Sequence, residues 1–222
     1  MRVEHIVWDW NGTLFDDGDA LVCATIDAFA ATGIAEVTTA DFQAHFTRPI
    51  TEFYERLAGR SLTDVEQRRL DEAFQRSYAD RIDAATLHAD AVAALSACRD
   101  SGRTQSLLSM YPHDLLTALR PVRSVAHYFV RVDGMVEDEL PRKEPHLRRH
   151  LTGLDLDPAR VLVVGDSTDD LDAAAACGAL AVLYHPRHQP LLSHARVDAL
   201  GVPVVAELPD AVHQAVGGFH GA

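Results

Sequence analysis

With 222 residues, 47% of them hydrophobic and both signs of charge present, the chain suffices for one large domain or for one domain carrying an insertion. Its formal net charge of −13 argues against nucleic acid or an anionic membrane as partner, since an acidic surface repels both. No apolar run reaches the ~20 residues of a membrane span. No basic, apolar and small-residue sequence precedes the first strand, so a cytoplasmic protein is expected, as a monomer or homodimer. In chain order, Val3 to Trp8 is an apolar run that reads as a buried strand, ended by Asp9 and turned at Asn11-Gly12. Asp19 to Thr32 has helical spacing, with Asp19 as a plausible N-cap and Gly33 as the stop. Thr39 to Phe46, Ile50 to Leu57 and Asp64 to Ile82 continue as helices, and the charges of the last read as a solvated face.

From residue 87 strands and helices alternate. A helix over Ala89 to Arg99 leads to a strand at Thr104 to Ser109, and a helix follows Pro112. Tyr128 to Val132 reads as a strand, His146 to Leu151 as a helix and Val161 to Val164 as the most apolar strand. A helix at Leu171 to Cys177, a strand at Leu180 to Tyr184, a short strand at Val202 to Val205 and a helix at Leu208 to Val216 complete the chain. This alternation predicts an α/β fold with a doubly wound parallel sheet covered on both faces. Residues 18–85 contain no predicted strand and form an all-helical insertion, leaving 1–17 and 86–222 for the α/β core. Cys23, Cys98 and Cys177 make no C-x-x-C motif and sit among alanines, as buried reduced thiols do.

Ligands bind at the carboxyl ends of strands in open parallel sheets. A carboxylate at that point, Asp9, suits a nucleophile or a metal ligand, although Asp also commonly caps a turn. After the strand ending at Val164 come Asp166, Asp169, Asp170 and Asp172, whose mutual repulsion a hard divalent cation would relieve. Helix capping accounts for the last three but not for Asp166, which precedes the helix. If the first and fourth core strands are neighbours, Asp9 and Asp166 share one crevice. Ser109 ends its strand as the two aspartates end theirs, and Lys143 precedes a proline-led helix.

Taken in order, these residues resemble the four motifs of the haloacid dehalogenase (HAD) superfamily. The motifs are Asp9-Trp10-Asn11-Gly12-Thr13-Leu14, then Ser109, then Lys143, then Gly165-Asp166-Ser167-Thr168-Asp169-Asp170. The likeness spans nearly the whole chain, and the helical block resembles the cap of the phosphoglycolate phosphatase-like branch. The resemblance implies a Rossmann-like core and a phosphomonoester hydrolase acting through an aspartyl-phosphate on Asp9. It implies Mg²⁺ as cofactor, held by Asp9, the backbone carbonyl of Asn11 and Asp166, with Asp170 assisting. Ser109, Lys143 and Gly12 would surround the phosphate of a small phosphorylated metabolite, and Arg48, in Thr47-Arg48-Pro49 of the cap, would set specificity.

One position departs from the pattern. The family's phosphatases carry an Asp two residues after the nucleophile as general acid and base, and here it is Asn11. An amide cannot transfer that proton, a role worth about 10²–10⁴-fold. Three outcomes follow: a slow phosphatase, or one whose substrate has a good leaving group that needs no acid; another residue (Asp16, Asp17, His45 or His113) as proton donor; or a chain that binds a phospholigand without turning it over. A metal-independent dehalogenase is a further alternative, which the acidic fourth motif disfavours. The histidines between His185 and His194, with His213 and His220, match no metal-ligand spacing.

Overall fold

The structure, a computed structural model, describes residues 2–136, 142–188 and 191–217. In chain order its elements are β1 (His5–Trp8), β2 (Phe15–Asp16), α1 (Gly18–Thr32), α2 (Thr39–His45), α3 (Ile50–Ala58), α4 (Asp64–Ile82), β3 (Thr86–Leu87), α5 (Ala91–Asp100), β4 (Thr104–Pro112), α6 (His113–Ala118), α7 (Arg120–Val125), β5 (Val132–Met135), α8 (Lys143–Gly153), β6 (Val161–Gly165), α9 (Thr168–Cys177), β7 (Leu180–Tyr184), α10 (His194–Leu200), β8 (Val204–Val205) and α11 (Leu208–Gly217).

Six strands form one parallel sheet in the order β5-β4-β1-β6-β7-β8. The chain winds outward from β1 through β4 to β5, then returns to build the other half. The switch falls between β1 and β6, where Trp8 lies opposite Val164. That is where open α/β sheets bind ligands. Side chains of adjacent strand residues point to opposite faces. Ile6, Trp8, Leu162 and Val164 accordingly pack with Leu95 of α5, Val122 of α7 and Val212 of α11. Val7, Val161 and Val163 pack with Leu147 of α8 and Ala173 of α9. Both faces are covered, which explains why these strands read as continuous apolar runs.

The segment from α1 to α4 is wholly helical. The antiparallel pair β2–β3, with Phe15 opposite Leu87, joins its two ends. Thr38 with Asp41, and Thr63 with Glu66, form capping boxes that start α2 and α4. Phe29, Phe42, Phe53 and Leu70 make the apolar interior of this segment and meet Leu191 and Leu192 from the core.

Several elements depart from the sequence reading. The strand expected over Tyr128–Val132 lies at Val132–Met135, beside Leu107 and Leu108. Tyr128 belongs to a short 3₁₀ turn, where its hydroxyl shares a hydrogen bond of 2.8 Å with Ser96 and its ring lies under Arg99. Tyr128 and Phe129 pack against the core, whereas the Val130 side chain is exposed and its N–H donates to the Gln105 carbonyl of β4 at 2.9 Å. Asp19 is not an N-cap: α1 begins at Gly18, and the Asp17 at its cap position spends its carboxylate elsewhere. The helix expected from His146 begins at Lys143, and that expected from Leu171 begins at Thr168. Strands β2 and β3 and helix α10 were not foreseen. Cys98 is buried and Cys177 intermediate, but Cys23 is exposed, because α1 turns Ala24 and Ala28 inward. No described helix is long and apolar enough to cross a membrane.

Candidate active site

Adjacent parallel strands end side by side, so β1 and β6 deliver two carboxylates to one point. Asp9 directly follows β1 and anchors its N–H on the Val164 carbonyl at 2.9 Å. Asp166 directly follows β6. One oxygen from each of Asp9, Asp166 and Asp170 lies within 4.8 Å of the others, and all three residues are buried. Two glycines allow this crowding. Gly12 has φ +72°, and a Cβ there would lie 2.3 Å from Asp166 Oδ2; one on Gly165 would lie 2.2 Å from Asp170 Cγ. Asp170 reaches back across the first turn of α9 to accept from the Ser167 N–H at 3.1 Å and the Ser167 hydroxyl at 2.6 Å. The capping reading of Asp170 is therefore correct, and its other oxygen still faces the site.

Lys143 starts α8 with its side chain buried. Its ammonium donates to both Asp9 and Asp170, and its backbone N–H donates to Asp169 Oδ2 at 3.1 Å. Burial alone would lower the lysine pKa, but Asp170 and Asp9 outweigh it and hold the ammonium charged. Asp9 is raised to about 7, chiefly by burial, with Lys143 opposing and Asp170 adding to the rise. Asp166 is raised well above the usual carboxylate range by burial and then by the charges of Asp9, Asp170 and Asp17. Its Oδ1 accepts from the Thr13 hydroxyl at 3.3 Å, while its buried Oδ2 has no hydrogen-bond partner. An unpartnered buried carboxylate oxygen beside two more carboxylates fits a hard divalent cation such as Mg²⁺, which takes oxygen ligands. Among the described residues this is the one group of three or more side chains able to hold a metal.

Asn11 lies at the centre of a second set of contacts. Its amide nitrogen donates to Asp17 Oδ2 at 2.8 Å and to the Tyr78 hydroxyl at 3.1 Å, and its oxygen accepts from Ser109 Oγ at 3.3 Å. Asp17 also accepts from Tyr78 at 2.5 Å and from the Gly12 N–H at 2.8 Å. The Gly12 N–H is thus turned into its own loop. Ser109 Oγ accepts in turn from the Tyr111 N–H at 3.0 Å.

A cavity of about 280 Å³ opens over these residues, between the sheet edge and the helical segment. Asp9, Asn11, Ser109, Lys143, Asp166 and Asp170 all line it, as does Arg48 from the loop before α3. Asp16, Asp17, His45 and His113 do not line it. His113 accepts the Gly134 N–H at 3.1 Å, and Asp16 lies 3.8 Å from His88. Of the late histidines, His185 bonds the Leu192 carbonyl at 3.0 Å and His213 lies 3.5 Å from Asp210; His220 falls outside the described residues. Sequence reasoning missed Tyr78, Tyr111, Thr13 and the hold of Asp169 on Lys143. Tyr78 follows the apolar periodicity of α4 and reads as ordinary core.

The family model for haloacid dehalogenase-like hydrolases matches residues 3–178, and the chain belongs to that family. It is similar to the phosphoglycolate phosphatase of Vibrio vulnificus strain YJ016, with 25% identity over 95% of this chain and 92% of that protein. In structure it is similar to a proposed phosphoglycolate phosphatase from Lactobacillus delbrueckii subsp. bulgaricus, with TM-score 0.79 and 17% identity, covering 98% of this chain and all of that one. A haloacid dehalogenase-like hydrolase from Streptococcus pneumoniae gives TM-score 0.76 and 16% identity over 95% of this chain and 97% of that one.

Proposed function

We propose that this hydrolase is a Mg²⁺-dependent phosphatase of a small phosphorylated metabolite, acting through an aspartyl-phosphate on Asp9. Residues 1–17 and 86–222 serve as the catalytic core, and residues 18–85 as a cap that excludes water. Asp9 supplies the attacking oxygen, its position fixed by β1 and by the Lys143 ammonium. Lys143 has three N–H donors, of which two hold Asp9 and Asp170, and the third is left for a phosphoryl oxygen; the Ser109 hydroxyl would turn from the Asn11 oxygen, to which it donates at 3.3 Å, to a second one. Asp9, Asp166, Asp170 and the backbone carbonyl of Asn11 would hold Mg²⁺, which would supply the charge that lets an anionic carboxylate approach an anionic phosphoryl group. The new Asp9–phosphorus bond replaces the bond to the leaving oxygen. Water then displaces Asp9 and carries phosphorus away as inorganic phosphate. Arg48, which lines the cavity, meets the rest of the substrate in this reading.

The observation that carries this reading is the partnerless Asp166 oxygen next to the buried Asp9–Lys143 pair. Release of phosphate from p-nitrophenyl phosphate with Mg²⁺ tests it. Asp9→Asn should lower turnover by about 10³-fold or more while the protein stays folded, and EDTA should abolish turnover. Activity that survives either treatment overturns the mechanism. The fully engaged Asn11 amide favours one other reading, a phospholigand-binding protein without turnover. That reading gains if no phosphorylated metabolite releases phosphate above the Asp9→Asn background.

A further inference from the structure

Building on that phosphatase reading, we propose that the substrate is an aryl phosphate, an ester whose leaving oxygen sits on an aromatic ring. Two independent features point to it. The first is Asn11, two residues beyond the nucleophile. Both amide hydrogens are committed, one to Asp17 and one to the Tyr78 hydroxyl, and its oxygen accepts from Ser109. It has no proton to give to a departing oxygen. Beyond the three metal-capable carboxylates, the described acids lining the cavity are Asp71 and Asp169. Asp169 is engaged by the Lys143 N–H, and Asp71 sits two turns of α4 from Tyr78, roughly 10 Å along the helix. An alkoxide, with a conjugate acid near the ~16 of water, leaves poorly without protonation. A phenoxide, with a pKa of ~10 like that of tyrosine, leaves without it.

The second feature is the cavity wall. Phe46, Tyr54, Phe74, Tyr78, Tyr111 and Met110 line the space above Asp9. Phe74 and Tyr78 stack on each other with centroids 5.4 Å apart. Such faces suit a flat ring. They suit a second anionic group badly, because among the described residues five carboxylates and two cations line the cavity. Lys143 is bound to Asp9 and Asp170, and the charge of Arg48 is felt by Asp169.

The chemistry closes without an enzymic acid. An oxygen of Asp9 bonds to phosphorus as the phosphorus–aryl oxygen bond breaks, and the aryloxide departs with the electron pair. Water then bonds to phosphorus, Asp9 regains its carboxylate, and the water's proton passes to the aryloxide. The products are a phenol and inorganic phosphate.

The test is kcat/KM for substituted phenyl phosphates of graded leaving-group pKa, with phosphoglycolate, glycerol phosphate and acetyl phosphate alongside, in the Mg²⁺-loaded protein and in Asn11→Asp. Phenyl phosphates should turn over with a rate that falls steeply as leaving-group pKa rises, and the two alkyl esters should be about 10²-fold slower or worse. Asn11→Asp should raise the alkyl esters by about 10²–10⁴-fold and the aryl esters by less than about tenfold. Equal or faster turnover of phosphoglycolate by the unmodified protein overturns the proposal, as does a lower KM for acetyl phosphate than for phenyl phosphate. These two results leave the phosphatase reading standing. Failure of every ester to release phosphate removes that reading as well, so the two failures are distinct. Should Asn11→Asp not fold, the series on the unmodified protein still decides.

Discussion

Strand β1 has a buried polar cluster at each end, and the two are built on different terms. At its amino end, His5 shares hydrogen bonds of 2.7 Å with Thr104 and Ser106. Ser106 meets His150 at 2.7 Å, His150 meets Asp133 at 2.7 Å, and Arg131 closes the chain on Asp133 at 2.6 Å. Every ring nitrogen has a partner. At the carboxyl end, Asp9, Asp166 and Asp170 crowd around one ammonium, and an Asp166 oxygen has no partner at all. A satisfied network fixes register between β1, β4 and α8 and asks for nothing further. An over-charged and incompletely satisfied one leaves a buried oxygen free to take a ligand, which marks a functional site rather than a structural one.

The largest effect should come from breaking the charged cluster. Lys143→Met leaves Asp9 and Asp170 without their buried cation, and removal of one partner from such a pair costs about 3–5 kcal/mol. Urea unfolding of the metal-free protein at neutral pH should show a loss of that size, together with loss of phosphate release. A variant as stable as the parent would mean that solvent, not Lys143, compensates the carboxylates, and the contrast between the two ends of β1 would fail.

Acid should separate the clusters by sign. Burial, with His150 adding, pushes the His5 pKa down to about 4. Protonation therefore favours the unfolded chain: the contribution of His5 is whole above pH ~6.5 and is lost as pH falls toward 4, up to about 3 kcal/mol. Asp9 runs the other way. Burial raises it to about 7, so in the metal-free protein its contribution is whole below pH ~3.9 and is lost as pH rises through about 7. A divalent cation offsets only the second loss. Added Mg²⁺ should thus raise Tm more near pH ~8 than near pH ~5, where protons compete for the carboxylates. An equal rise at both, read by thermal unfolding with and without EDTA, would show that the ion does not bind this cluster.

Asp9, Lys143, Asp166 and Asp170 could be read from the sequence because each lies at the boundary of an element whose pattern is plain. Apolar runs stop at Asp9 and before Asp166, and Lys143 opens a proline-led helix. The parallel pairing follows from the same alternation, but the adjacency of β1 and β6 that joins Asp9 to Asp166 does not. What was not legible depends on partners far along the chain. Tyr78 meets Asp17 across 61 residues, and nothing in the periodicity of α4 sets that tyrosine apart from Leu70 or Phe74. Strands β2 and β3 are two residues each, too short for any period to register. Tyr128 and Phe129 looked like part of a strand because burial against a helix and burial in a sheet leave the same apolar signature.

Tyr78 tests the comparison at its boundary, with the smallest expected effect. Its hydroxyl is satisfied like the His5 network, donating to Asp17 and accepting from Asn11, yet its ring borders the reaction cavity. Tyr78→Phe keeps the ring and removes both bonds, leaving Asp17 with donors from Asn11 and Gly12 alone. A hydrogen bond to a buried charged group is worth about 1.5–3 kcal/mol, so unfolding should reveal a loss near the lower end. If the bond only ties helix α4 to the core, kcat should hold and stability alone should fall. If it also fixes the Asn11 amide, the loosened amide should reach the leaving oxygen in some fraction of encounters, and kcat should change more for poor leaving groups than for good ones. An unchanged unfolding midpoint would remove Tyr78 from both roles, since a severed buried bond to a carboxylate must register in the stability of the fold.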